Sequence, residues 1–376
     1  MRYAILCLAL AACSSSMSAG GGGDDSSVLG FTASNLDADS LDFTDVGDLV
    51  VSGGHGWQTA LGGLLASSNS GSYHYQEIQQ PGGGLTLGVF TVNSLVVNAD
   101  ARITVTGADA LVIVALDSIE IDGEIDANSQ FAGGELGPGA ASDSTAPATG
   151  LGAGGGHAGN RVTSAGGAGF CGQGGTGGAP SGTPAAGGAS YGNAALSPLV
   201  AGSEGGAGTL GAGGAGGGAV QLVAANQITI AGKIHLGGEG GTGSGVYSAG
   251  NSQTASGGGS GGALLLEAVN IRMSGLIAAN GGAGGGDDAG SDATLDATPA
   301  VGGTSMSATN APGAEGSAGA TIDGEAGPSP ANANGGGGGG AAGRIRFNTL
   351  AAPATITGAM SPAATTPCVT LGTVAS

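Results

Sequence analysis

The sequence predicts an all-β protein, a short right-handed parallel β-helix of about five coils with long glycine-rich insertions leaving one edge. Three observations support this prediction. One pattern of short apolar runs and tight turns recurs along the chain, the apolar residues alternate with a period of two, and nearly all of the glycine lies between the repeats. The chain therefore divides into strand-forming units and glycine-rich segments.

The repeats share an alternating apolar run, an Asn or Asp turn, an Ile-x-Ile or Ile-x-Met strand, a glycine and a final x-Ile-x strand. They occupy 110–128, 219–238, 263–281 and, in weaker form, 342–358, and a looser copy occupies 95–107. Alternation in short β-branched runs indicates three short strands per unit. Each unit has about 20 residues, which suits one coil of a parallel β-helix.

Stacking these units in register makes predictions about individual side chains. One inward column contains Ile103, Ile125, Ile234 and Ile277, and a second contains Ile121, Ile230 and Met273. Outside, Arg102, Glu124 and Lys233 fall at equivalent positions and form an alternating charge ladder. The ladder would fix the register, although exposed ion pairs contribute at most about 1 kcal/mol each.

The coils should span 82–358, with insertions at about 129–218, 239–262 and 282–341 that all follow the same strand of the repeat. Two alternatives remain for the insertions. Glycine loses much backbone entropy on ordering, which favours mobile fringes. Glycine runs can also pack closely as polyproline-II-like segments. We expect order near the β-helix edge and disorder at the tips, especially within 287–334.

The start of the chain predicts export. Residues 1–12 have a short basic and apolar leader, and Leu10-Ala11-Ala12-Cys13 resembles the lipobox of bacterial lipoproteins. That resemblance implies cleavage before Cys13, lipidation of Cys13 and a flexible tether over 13–27. It also implies an outer-membrane location, because Ser14 follows the cysteine where an Asp would signal retention in the inner membrane. An ordinary secretory leader is the alternative. With Cys7 in the leader and Cys13 lipidated, Cys171 and Cys368 are a candidate disulfide, or else two buried thiols.

The segment 28–81 is predicted to cap the first coil, and 359–376 forms a C-terminal tail. The cap contains Trp57, Tyr73 and Tyr75, whose aromatic rings either fill the cap or form a platform on which a sugar stacks.

Outward carboxylates crowd one coil, at Glu120, Asp122, Glu124 and Asp126. In the polysaccharide lyases that are built on parallel β-helices, such carboxylates bind Ca²⁺, and an Arg or Lys abstracts a proton. The sequence lacks clustered basic residues, so the charge ladder is the favoured interpretation, with these four as weak metal candidates and no other cofactor indicated. His235 is expected to be a solvated residue of an outer strand face.

The repeats and glycine-rich segments of 82–358 resemble the glycine-rich β-helical surface proteins of Gram-negative bacteria, which include haemagglutinin-like adhesins. This resemblance implies a structural or adhesive lipoprotein without catalytic activity. Its lipid anchor would attach it to the membrane, and its partners would be extracellular glycans or neighbouring cells. A carbohydrate-active β-helix enzyme, a lyase or hydrolase of an extracellular glycan, is the alternative. The net charge of −20 excludes a nucleic-acid partner, since such a surface repels phosphate.

Overall fold

The computed structural model describes residues 27–59, 63–64, 69–130, 135–142, 148–245, 253–306, 310–330 and 334–376. The predicted leader, Cys13 and most of the tether lie outside these residues. The described chain is nearly all β, with two large sheets that are mostly parallel and one 3-10 turn at Ala38–Ser40. The prediction of an all-β protein with parallel sheets is confirmed.

The larger sheet has 12 strands. In chain order they are β1 (Asp48–Val51), β4 (Asn69–Ser70), β5 (His74–Gln79), β6 (Thr86–Val92), β7 (Ser94–Val97), β9 (Ala110–Ala115), β10 (Ser118–Ile121), β12 (Ala219–Ile230), β14 (Ala263–Met273), β16 (Arg344–Thr349), β17 (Thr355–Ile356) and β19 (Val369–Thr373).

The smaller sheet has seven strands. They are β2 (Gly54–Gln58), β3 (Gly63–Leu64), β8 (Arg102–Thr106), β11 (Glu124–Asp126), β13 (Lys233–His235), β15 (Leu276–Ala278) and β18 (Ala359–Ser361). Strands β1 and β2 belong to the segment assigned to the cap, and β18 and β19 to the segment assigned to the tail. The sheets therefore extend beyond 82–358 at both ends.

Each repeat pairs in register with the next, as the sequence predicts. Ile125 is paired with Ile103 on one side and with Ile234 on the other, and Ile234 is paired with Ile277. In the larger sheet, Ile230 lies between Ile121 and Met273. All members of both columns are fully buried. The predicted strand phase is therefore correct.

The strands bury apolar side chains on two sides. The first core lies between the sheets and contains both isoleucine columns. The second lies on the outer face of β6, β9, β12 and β14, where the segment 28–43 packs together with Phe170, Leu196 and Leu199. An outer face covered in this way explains why β9 reads as an uninterrupted apolar run that is buried throughout.

The three insertions follow β11, β13 and β15, which are parallel neighbours in the smaller sheet. All of them therefore leave from the C-terminal ends of these strands, along one edge of the stacked repeats. Their described residues pack together into what we call the glycine bundle. In the segment 335–343 every third N–H donates to the same neighbouring segment. The donors are Gly337, Gly340 and Gly343 to 279–285, Gly338 and Ala341 to 165–168, and Gly339 and Ala342 to 322–325. Three residues per turn is the periodicity of polyproline II.

Glycine is required in this bundle because its segments touch backbone to backbone. A Cβ on Gly340 would lie 1.9 Å from the carbonyl oxygen of Gly259, and a Cβ on Gly258 would lie 2.2 Å from that of Gly282. The expectation of disorder within 287–334 is wrong for the described residues. Ser291 donates its N–H to Val301, and Gly313 donates to Gly303. Backbone hydrogen bonds between neighbouring segments replace the missing side-chain contacts.

Candidate functional site

A buried polar cluster lies where the first insertion leaves the smaller sheet. Asp126 is the last residue of β11 and is fully buried, Arg102 of β8 donates Nη2 to its Oδ2, and Nδ1 of His235 lies 3.6 Å from its Oδ1. Strand pairing brings the three residues together. Asp126 is paired with His235 of β13 on one side and with Thr104 of β8 on the other, and Arg102 lies two residues before Thr104 in β8. A buried carboxylate with a guanidinium partner is satisfied electrostatically.

One prediction fails at this cluster. Asp126 points outward from the strand, as the sequence predicted, and is buried there. His235, which the sequence suggested was solvated, is buried as well. The first insertion begins directly after β11 and crosses this face, with Gln130 placing Nε2 3.4 Å from Asp126 Oδ2. The proximity of an insertion to the end of each x-Ile-x strand was the available signal for this burial.

Burial lowers the pKa of His235 more than the neighbouring Asp126 carboxylate and the Ala293 backbone raise it. Its Nε2 is buried and makes no hydrogen bond of good geometry to the described residues, although it lies near the Ala293 backbone. A histidine and an aspartate side by side resemble a general-base pair. Both side chains are buried beneath the insertion, and the contact of Gln130 with Asp126 attaches the insertion to the sheet.

The other three candidate carboxylates do not converge. Glu120 lies in the larger sheet, Asp122 lies in the turn after it, and Glu124 lies in the smaller sheet, where its Oε1 is 3.5 Å from Nε of Arg102. Among the described residues, no group of three or more His, Cys, Asp or Glu side chains is arranged to hold a metal ion. The register of the charge ladder is confirmed, with Glu124 between Arg102 and Lys233.

An open groove of about 430 Å³ follows the corner between the two sheets and includes this ladder. Its floor consists of stacked turns in which a glycine is needed. A Cβ on Gly232 would lie 2.0 Å from the carbonyl oxygen of Gly123, and one on Gly275 would lie 2.0 Å from that of Gly232. Three acidic residues, Asp100, Asp122 and Glu124, and two basic residues, Arg102 and Lys233, line the groove, and this mixed charge does not favour an anionic or a cationic ligand.

The aromatic candidates lie near the start of the sheets. Tyr73 and Tyr75 are partly buried, and their rings are tilted against Phe90 with centroids 5.7 Å and 5.0 Å away. The hydroxyl of Tyr75 donates to the carbonyl oxygen of Thr59. These contacts favour a role in the cap, and the sugar platform stays a prediction, because the side chain of Trp57 lies outside the described part of the chain.

Cys171 and Cys368 lie at disulfide distance, with an S–S separation of 2.08 Å and a Cα–Cα separation of 5.7 Å. The link joins the first insertion to the C-terminal segment, as the sequence suggested. Next to it, Phe170 stacks on Tyr191 with centroids 4.6 Å apart, and the Arg344 guanidinium lies 5.6 Å from the Phe170 ring centroid. These aromatic side chains attach the glycine bundle to the outer face of the sheet.

Two further carboxylates were not anticipated, Glu267, which is fully buried, and Glu239, which is partly buried. Glu267 of β14 is fully buried and accepts hydrogen bonds from Ser34, Gln221 and Asn348, which fixes the segment 28–43 on the sheet. Its place in the apolar run of β14 was a usable signal. Glu239 of the glycine bundle accepts the Ala215 N–H at 2.9 Å, and burial raises its pKa to about 7. Nothing in the sequence distinguished it from an exposed glutamate.

Large apolar side chains are exposed on the outside of the glycine bundle. Leu210, Val301 and Met306 are each more than half exposed, and Leu151 and Val162 are only slightly less so. Because the rest of that surface consists mainly of small, polar and acidic residues, these side chains are its main apolar features.

No protein-family model, curated protein or solved structure matches this chain. In the described part of the chain, no helix has the length and apolar character that crossing a membrane requires.

Proposed function

We propose that this protein is a structural or adhesive lipoprotein that Cys13 anchors in the outer membrane, with the glycine bundle displayed at the cell surface. In this proposal the sheets form a right-handed parallel β-helix of about five coils. The observation that carries the proposal is that all three insertions leave one sheet edge and pack into a single bundle through backbone hydrogen bonds. The β-helix serves as a rigid support for that bundle.

The chemistry of the described residues supports a contact surface rather than an enzyme. The Asp126–His235 pair is covered, the carboxylates on the strands are paired or dispersed, and the corner groove is shallow with mixed charge. The outside of the bundle offers isolated apolar side chains on a hydrogen-bonding background. Such a surface suits weak contacts repeated over many copies, with glycans or neighbouring cells as the partners.

The anchor and the display are tested together in cells. Wild-type protein should remain with outer membranes and lose its bundle epitopes when intact cells are treated with protease. Cys13→Ser should release the protein to a soluble fraction. Membrane attachment that Cys13→Ser leaves unchanged would contradict the lipid anchor, and complete protection of wild-type protein on intact cells would contradict the display.

The adhesive role is tested with a double variant, Val301→Lys with Met306→Lys. It replaces two exposed apolar side chains of the bundle without changing its interior. Attachment of cells to surfaces or to one another should fall several-fold. The matched control, Thr183→Lys with Ser190→Lys, adds the same charge at exposed polar positions of the bundle. Equal attachment by both variants and the wild type would leave the structural role and contradict the adhesive one.

A further inference from the structure

The end of the glycine bundle that lies farthest from the sheets is formed by turns between its segments. A first turn, 160–163, is closed by a backbone hydrogen bond between its end residues. At a second, 209–211, the chain reverses between segments that hydrogen-bond to each other through Gly202 and Gly217, just before β12. A third turn lies at 304–306. We call the exposed apolar side chains of these turns the distal row, which consists of Val162, Leu210 and Met306.

The three turns adjoin one another, so the distal row is continuous. Thr254 donates Oγ1 to the first turn at 2.9 Å and its N–H to Oγ1 of Thr209 in the second turn at 2.9 Å. A Cβ on Gly245 would lie 3.8 Å from Cδ1 of Leu210, and Gly245 donates its N–H to the carbonyl oxygen of Asp287. The Asp287 carboxylate accepts the N–H at the end of the third turn at 2.6 Å. The row thus crosses three neighbouring turns.

The distal row is too small for a stable protein interface. Its three side chains are 50%, 55% and 58% exposed, which amounts to roughly 300 Å² of apolar surface. A stable interface buries about 800 Å² on each partner, more than half of it apolar. The row is therefore a poor match for a folded protein or for a second copy of this chain. A fluid apolar phase can instead surround each protruding side chain.

The composition of this end favours a lipid over a sugar as the partner. Sugar rings pack on aromatic faces, and none of the described residues in the three turns is aromatic. Aliphatic side chains on projecting turns suit the boundary between headgroups and acyl chains.

The charge of the chain selects the kind of lipid surface. Around the distal row, Arg161 and Asp288 are exposed and opposite in sign, whereas the Asp287 carboxylate is buried and hydrogen-bonded. The row itself is therefore close to neutral. The whole chain carries a net charge of −20, so an anionic lipid surface repels it and a zwitterionic surface does not.

We propose that the distal row inserts into a lipid surface with zwitterionic headgroups. The aliphatic side chains enter the apolar region, and the backbone of the bundle stays outside it with its own hydrogen bonds intact. This inference names the partner of the bundle and rests on the proposed display at the cell surface. Insertion itself requires neither the anchor nor a protein receptor.

Flotation of the full chain with phosphatidylcholine vesicles tests the proposal. All proteins carry Cys13→Ser, so that no acyl chain contributes to binding. The parent protein should float with the vesicles. Leu210→Lys with Met306→Lys should lower its apparent affinity at least about tenfold, because an ammonium group is costly in the apolar region.

The matched control is Leu151→Lys with Val301→Lys, which adds the same charge at apolar positions outside the distal row. Leu151 is 44% exposed and its carbonyl oxygen accepts the N–H of Glu204, close to Gly202. Val301 is 62% exposed and lies beside Ser291, on the flank of the bundle. This control should float like the parent protein.

Val162→Lys provides a further variant of the row should the double variant fail to fold by circular dichroism, and it should also weaken binding. A parent protein that does not float would overturn the proposal, as would parental binding by the folded row variants or an equal loss in the control. Flotation only with anionic phosphatidylglycerol vesicles would overturn the zwitterionic assignment. Display on cells without vesicle binding would contradict this inference alone, and vesicle binding without display would contradict only the proposed function.

Discussion

The strand region and the glycine bundle solve the same packing problem in opposite ways. Between the sheets, branched side chains such as Ile125 and Ile234 fill the space that separates the backbones. In the bundle, backbones such as those of Gly259 and Gly340 touch directly, and there is no space to fill. The strand region should therefore be sensitive to the loss of side-chain atoms, and the bundle to their addition.

The two regions also treat buried carboxylates differently. Asp126 in the strand region has Arg102 as a partner. Glu239 in the bundle has a backbone N–H donor and lies near the carboxylates of Glu204 and Asp292. The predicted insertions contain a single basic residue, Arg161. In a bundle built almost without cations, Glu239 is partly buried without a countercharge.

The largest expected effect comes from removing side-chain atoms between the sheets. Ile234→Ala should lower the free energy of unfolding by about 2–5 kcal/mol, because it leaves a cavity in a fully buried column. Thr229→Ala on the outer face of β12 is the control and should change little. Chemical denaturation of both variants measures the difference. Equal losses would contradict the inward and outward assignment.

A change of pH should affect the bundle through Glu239. Burial raises its folded pKa to about 7 from an ordinary value of 4.5, so its contribution is present below the ordinary value and is lost as pH rises through 7. The wild type should thus lose up to about 3 kcal/mol between about pH 4.5 and pH 8 from this group.

Glu239→Gln keeps an oxygen acceptor for Ala215 and cannot ionise, so stability measured against pH should become flatter in this variant. Glu315→Gln, which replaces an exposed carboxylate of the same bundle, should keep the wild-type profile. Identical profiles in all three proteins would show that folding does not raise the pKa of Glu239.

The smallest expected effect tests most directly whether the glycine bundle packs backbone against backbone. Gly340→Ala adds one methyl group where the nearest backbone oxygen would lie 1.9 Å away, and it should cost about 1–3 kcal/mol. Gly54→Ala, at an exposed site with nothing within 4 Å of the new Cβ, should be nearly neutral. Thermal unfolding compares the two. A tolerated Gly340→Ala would mean that the bundle is looser than its contacts indicate.

The strands of the repeats and their register could be predicted from the sequence. Period-two alternation identifies which residues of β11, β13 and β15 face inward, and the repeated glycine at positions such as Gly232 marks the turn. Both signals are local, since they depend on side-chain direction and backbone sterics within one repeat. The candidate disulfide was also predictable, because the predicted leader and lipidation account for Cys7 and Cys13 and leave two of the four cysteines to pair.

What covers each outward face depends on packing between parts of the chain that are far apart in sequence. Asp126 and His235 alternate outward like Glu124, yet they are buried because an insertion crosses them. Glycine-rich segments contain no local signal that separates a mobile fringe from a bundle, since their order depends on hydrogen bonds to segments far away in the chain.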